Sequence, residues 1–170
     1  MALHLAAFRS PASRHLAALA LACSLPLAGA VRAETCTFLK PIGGDGNSDI
    51  VSKRVERPKI GPLGMLLGRT NWDTDFIVDR PYGSYKLFFT ANSSDANAKY
   101  PVRGFMKFTD DTSLKLFEEE INPPIGTGKM YGPFPQVPGK TVSQINFKVG
   151  ASKDPGATGF SYRISVQGCN

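Results

Sequence analysis

The 170-residue chain is 42% hydrophobic and 20% charged, with 20 Lys and Arg against 14 Asp and Glu and a formal charge of +6. Both histidines, His4 and His15, fall within the first 33 residues. Residues 34–170 therefore support no Ser-His-Asp or Cys-His catalysis, no His-ligated zinc and no histidine acid–base chemistry.

Residues 1–33 read as a secretory signal peptide. Arg9 and Arg14 form a basic start, Leu16 to Ala30 supply the apolar core, and Val31-Arg32-Ala33 predicts cleavage before Glu34, with a second site after Ala30. Pro26 and Gly29 interrupt the apolar run, which is too short for a membrane span. Cys23 within Ala20-Leu21-Ala22-Cys23 loosely resembles a lipobox, but the residue order is poor, so simple export to the periplasm or beyond is expected. Losing Arg9, Arg14 and Arg32 leaves 17 basic residues against 14 acidic ones, or +3, spread along the sequence. Nucleic acid usually requires a clustered basic patch and is not an expected partner; weak attraction to acidic polysaccharide is compatible with such a charge.

In the exported chain Cys36 and Cys169 are the two remaining cysteines and read as a disulfide. Glu34 to Leu39 is the expected first strand. Pro41 to Asp49 is a polar turn, Ile50 to Glu56 an edge strand, and Pro58 to Gly68, crowded with Gly and Pro, a loop or ragged strand over the core. Phe76 and Val78 begin a clearer alternation, and Arg80-Pro81-Tyr82-Gly83 makes a turn. Tyr85, Leu87 and Phe89 are the inward set of the next strand, and Asn92 to Lys99 is a polar loop. Val102, Met106 and Phe108 point inward from a strand over Tyr100 to Thr109, with Gly104 as a bulge. Asp110-Asp111-Thr112 turns the chain into a strand carried by Leu114 and Leu116, which Asn122-Pro123-Pro124 ends. Ile125 to Lys140 reads as a long irregular connection. Ile145, Phe147 and Val149 mark the penultimate strand, and Phe160, Tyr162, Ile164 and Val166 line one face of the last.

Seven to nine short strands with no convincing helix predict an all-β fold. A single-domain antiparallel β-sandwich of jelly-roll type over residues 34–170 is expected, its terminal strands tied by the disulfide; a closed β-barrel is the alternative.

Four features invite a chemical reading. Asp45, Asn47, Asp49 and Glu56 stand at positions 1, 3, 5 and 12 of a calcium-loop spacing, although Ile50 replaces the required glycine and no helices flank the loop. Gly126-Thr127-Gly128-Lys129 lacks the first glycine and the Ser/Thr of a phosphate loop and reads as plain loop. The carboxylates of Asp73, Asp75, Asp79, Asp110, Asp111 and Glu118 to Glu120 supply the chemistry of a glycosidase, but mostly from turns and polar strand faces. Asn92-Ser93-Ser94 is a glycosylation sequon by pattern, with meaning only in a eukaryotic secretory pathway.

The aromatics Trp72, Tyr82, Tyr100, Tyr131 and Phe134 fall in or beside expected loops. With Asn71 and Asp73 next to Trp72, they form the expected ligand-binding set. Rings beside amides and carboxylates suit sugars, and Trp and Tyr also dominate protein hot spots. The sequence thus points to a secreted, non-catalytic module. Its expected ligand is a glycan or cell-envelope polysaccharide; the alternatives are a structural or accessory protein that binds another exported protein, and a carboxylate-dependent hydrolase.

Overall fold

The computed structural model describes residues 33–43, 47–57, 59–64, 66–122 and 124–170. The expected signal peptide, apart from Ala33, lies outside the described residues, as do Asp45, Pro58, Met65 and Pro123. Among the described residues no helix is long and apolar enough to cross a membrane.

The strands are β1 (Cys36–Phe38), β2 (Val51–Glu56), β3 (Lys59–Ile60), β4 (Leu66–Leu67), β5 (Trp72–Ile77), β6 (Ser84–Ala91), β7 (Tyr100–Phe108), β8 (Ser113–Ile121), β9 (Gly128–Pro135), β10 (Val142–Val149) and β11 (Gly159–Cys169). One sheet runs β1-β11-β6-β9, with β2 sharing the β1 side of β11; the other runs β5-β10-β7-β8. The pairs are nested: β11 takes β1 and β2, β10 takes β5, β9 takes β6 and β8 takes β7, all antiparallel. A long hairpin rolled up in this way is the jelly-roll sandwich. The two sheets are packed face to face and do not close into a barrel.

Alternation decides what each strand buries. Tyr85, Leu87 and Phe89 on β6 and Phe160, Tyr162, Ile164 and Val166 on β11 face Phe76, Met106, Ile145 and Phe147 of the other sheet, all essentially inaccessible. The core is rich in rings, with Phe89 lying 5.5 Å from Tyr162 and 6.3 Å from Phe147 between centroids. Each such side chain contributes about 1.5–3 kcal/mol by leaving water. Cys36 sits directly opposite Cys169 in the β1–β11 ladder, and the two are bridged.

Gly104 marks the expected bulge, since the β7–β8 register shifts between it and Phe105. A β-carbon there would come within 2.2 Å of the Phe117 ring, which is itself stacked on Tyr131 at 3.8 Å. The turn at 110–112 forms as expected: Asp110 accepts hydrogen bonds from the Thr112 amide and hydroxyl, and Asp111 adopts φ 62°.

Three expectations are corrected. The region 125–140 is not irregular throughout, because Gly128–Pro135 forms β9 on β6. Its prolines are tolerated since β9 pairs on one side only, where a missing N–H costs no ladder bond. Leu114 faces solvent, because β8 is an edge strand whose inward residues are few. Leu63, in the turn Pro62–Gly64 between β3 and β4, is 97% exposed and so does not cover the core.

Candidate functional site

Trp72 begins β5 at the edge of its sheet, next to β2 at the edge of the other. Its indole Nε1 donates a 2.7 Å hydrogen bond to the Arg54 carbonyl and so bolts the two edges together. Lys53 shares the inward phase of β2 with buried Val55, which brings its Nζ to 3.9 Å from the indole centroid. Arg69 reaches the same ring, with Cζ at 4.8 Å. Its backbone is held against β2 by two bonds: the Glu56 amide donates to the Arg69 carbonyl, and the Arg69 amide donates to Glu56 Oε2. Arg54 points to the other face of β2, where its guanidinium donates to Ser161 Oγ at 3.1 Å; Arg163, opposite Ser52, donates to Asn92 Oδ1 at 3.1 Å.

Lys53, Arg54, Arg69 and Trp72 line an open cavity of about 480 Å³ together with Ser52, Glu56, Asn92 and Ser161. Three cations line it beside one carboxylate, Glu56. Eight other basic residues each face a carboxylate within 3.4 Å. Among the described residues, Lys53, Arg54 and Arg69, which line this cavity, have no such partner, and neither do Arg163 beside it or Arg57, Lys59, Arg80, Lys99 and Lys153 elsewhere. Partial burial, and then the neighbouring charge of Arg69, pull the Lys53 ammonium below its ordinary pKa. This grouping was hidden in the sequence, because the lining residues come from β2, the β4–β5 connection, β5, β11 and the loop after β6.

The other expected ligand-binding residues do not gather here. Asn71 is exposed beside Trp72. Asp73 points to the outer face of β5, where it accepts from Asn146 and lies 3.4 Å from Lys148. Tyr82, Tyr100 and Tyr131 are buried, which corrects the expectation of ligand-facing loop rings. In each the ring packs inside while the hydroxyl finds a polar partner: Tyr82 donates to Asp79, Tyr100 to Asp95 and Tyr131 to Glu119. Phe134 is half-buried, 6.1 Å from Phe117.

Three of the four residues of the calcium spacing are described. Asp45 lies outside the described residues, Asn47 is exposed, and Asp49 pairs with Lys40 at 2.7 Å. Without the glycine that bends such a loop, the chain runs straight into β2, whose five steps of about 3.3 Å carry Glu56 well away from Asp49. Among the described residues one group of Cys and Glu side chains has ligand spacing, Glu34 with Cys36 and Cys169, and its sulfurs are bridged. Asp73 and Asp75 converge on the buried Asn146 amide, but on a flat outer face with Lys148 and Lys107 beside them rather than in a cleft.

A second cavity, of about 500 Å³, opens between the β5–β6 turn and the start of β10, over Tyr85 and Val142. Its charged residues are already engaged: Asp79 with Tyr82, and Arg80 with Tyr82 and Thr37. At the Trp72 edge, by contrast, the Lys53 and Arg69 side chains meet the indole face rather than a carboxylate.

Fold and site together define a disulfide-closed jelly-roll sandwich with a basic, tryptophan-walled edge. No known family model matches the sequence, and no curated protein matches it. Among solved structures it is similar to the enzymatically active domain of tailspike protein 4 of bacteriophage CBA120, at 17% identity and TM-score 0.38 over 81% of this chain. It is also similar to infectious bursal disease virus of the Gt strain, at 12% identity and TM-score 0.33 over 80% of this chain, and of the Gx strain, at 12% and 0.30 over 75%. The chain spans 19% of the tailspike chain and about a third of the viral ones, 33% and 32%.

Proposed function

We propose that residues 34–170 act as a non-catalytic binding module of an exported protein, holding a glycan or envelope polysaccharide at the Trp72 edge. One observation carries this reading: the chain's single tryptophan forms a partly exposed wall of an open cavity whose other walls are hydroxyl, amide, guanidinium, ammonium and carboxylate groups. A sugar ring matches that mixture of an apolar face and directional polar edges. Export fits the apolar leader and the Cys36–Cys169 bridge, which persists in oxidising compartments. The non-catalytic reading rests on composition, since residues 34–170 contain no histidine.

A second reading, an accessory protein that binds another exported protein, draws on the outer face of the β1-β11-β6-β9 sheet. Phe38 and Met130 are 42% and 49% exposed there, on the side of Phe88.

The oxidised protein, with its Asn92→Ala and Trp72→Ala variants, is to be incubated with insoluble polysaccharides and isolated cell envelope, with thermal midpoints measured in parallel. The glycan reading expects depletion that Asn92→Ala weakens at an unchanged midpoint and Trp72→Ala abolishes. Depletion by envelope alone that disappears on protease treatment of the envelope would replace it with the accessory-protein reading.

A further inference from the structure

We infer that the Trp72 edge recognises an anionic polymer. This rests on the glycan reading and makes the glycan one that carries carboxylate or phosphate groups along its chain.

The edge holds unbalanced charge. Lys53 and Arg69 crowd one indole, at 3.9 and 4.8 Å from its centroid, while Arg54 lies on the opposite face of β2. Eight cations elsewhere face carboxylates, as in Arg103 with Glu118 at 2.6 Å and Lys107 with Asp75 at 2.7 Å, whereas the three that line this cavity together face none within ion-pair distance. At this edge the carboxylate lining the cavity is Glu56, and its Oε2 already accepts the Arg69 amide. Holding Lys53 half-buried beside Arg69 is unfavourable in the free protein, and a bound anion relieves it. The indole face accounts for part of the positive charge through cation–π attraction but leaves N–H donors unused. Guanidinium forks pair with carboxylate and phosphate oxygens in bidentate fashion, which sets the ligand chemistry.

Ligand length follows from the same placement. The cavity is lined by residues from both faces of β2, Lys53 on the inner side and Arg54 on the outer. A single small anion meets Lys53 and Arg69, whereas a chain with repeated charges also meets Arg54 as it crosses the edge. Asn92, Ser52 and Ser161 between them supply hydrogen bonds of the kind sugar hydroxyls accept and donate.

The test is a binding titration of the oxidised protein with four soluble probes of similar length: an oligogalacturonate, a phosphorylated mannan, a neutral mannan and polyglutamate. Variants are Arg54→Gln, Arg69→Gln and, as a control, Lys153→Gln, in the exposed loop before β11. The expected result is binding of one or both acidic glycans, weakened by added salt and at least tenfold weaker for the neutral mannan. Each arginine variant should lose about tenfold, the scale of a charge-assisted hydrogen bond, while the control is unchanged. Comparison of the two acidic glycans then assigns carboxylate or phosphate as the recognised group. Equal affinity for neutral mannan, indifferent to both arginine variants, would overturn the inference and leave the glycan reading standing. Polyglutamate bound as tightly as the acidic glycans would keep the anion site and overturn the glycan reading. No binding to any probe, with thermal midpoints intact, would overturn both.

Discussion

Buried in the loop between β6 and β7, Asp95 is 1% exposed, yet it is fully satisfied. Its carboxylate accepts from the Tyr100 hydroxyl at 2.5 Å and from the amides of Thr158, Gly159 and Asn97. Burial alone would raise its pKa; the hydrogen bonds, that of Tyr100 foremost, outweigh this and hold it down to about 2. Tyr100 moves upward in turn, through burial and then through the carboxylate it faces. A folded-state value below the unfolded one contributes stability above about pH 4, and that contribution is lost as pH falls towards 2. Asp110 and Glu118 are also held near 2, by Lys140 and by Lys115 with Arg103, so the difference between native protein and Asp95→Asn isolates the buried group. Asp95→Asn is expected to cost about 2 kcal/mol at neutral pH, because the amide cannot satisfy the converging donors, and the gap should narrow below pH 4. Thermal midpoints across pH measure it; a gap independent of pH would refute the role of the charge. None of this was legible in the sequence, where Asp95 is one polar residue among several in a polar loop. Gly104 was legible, because a lone glycine inside an alternating strand has few other reasons to be there.

The same division appears in the strands. β6, β7, β10 and β11 declared themselves through period-two alternation, since each has one face in the core and one outside. β9 did not, because an edge strand tolerates glycine and proline and owes its existence to a partner, β6, far away in sequence. β1 is the other extreme. It has three residues, too few to hold a place on the sheet by ladder bonds, and Cys36 staples it to Cys169 across a separation of 133. In the chain-entropy picture a loop of that length is worth roughly 4–5 kcal/mol. The Cys36→Ser/Cys169→Ser pair is therefore expected to unfold at lower denaturant concentration by about that free energy, with the amides of residues 35–39 losing hydrogen-exchange protection first. A double variant as stable as the native protein, with those amides still protected, would contradict the staple.

At the scale of the molecule, the candidate site exists because the roll-up brings two sheet edges together. Trp72 was recognisable from sequence as a ring without an obvious place in the core. Its companions were not: Lys53, Arg69 and Ser161 are spread over more than a hundred positions, and a dispersed net charge gave no hint that cations would share this edge. Conversely, Tyr82, Tyr100 and Tyr131 looked like loop rings and proved to be core, because a phenol can bury its ring while its hydroxyl finds a polar partner. Trp72 is the only tryptophan of the chain, so its emission reports on this edge alone. The most direct measurement is a titration of that emission with oligogalacturonate and with the phosphorylated mannan, alongside calorimetry on the same samples. A saturable change that tracks the calorimetric heat, and that Arg69→Gln weakens, is the expected result. Calorimetric binding with Trp72 emission unmoved would place the ligand elsewhere and contradict the central claim.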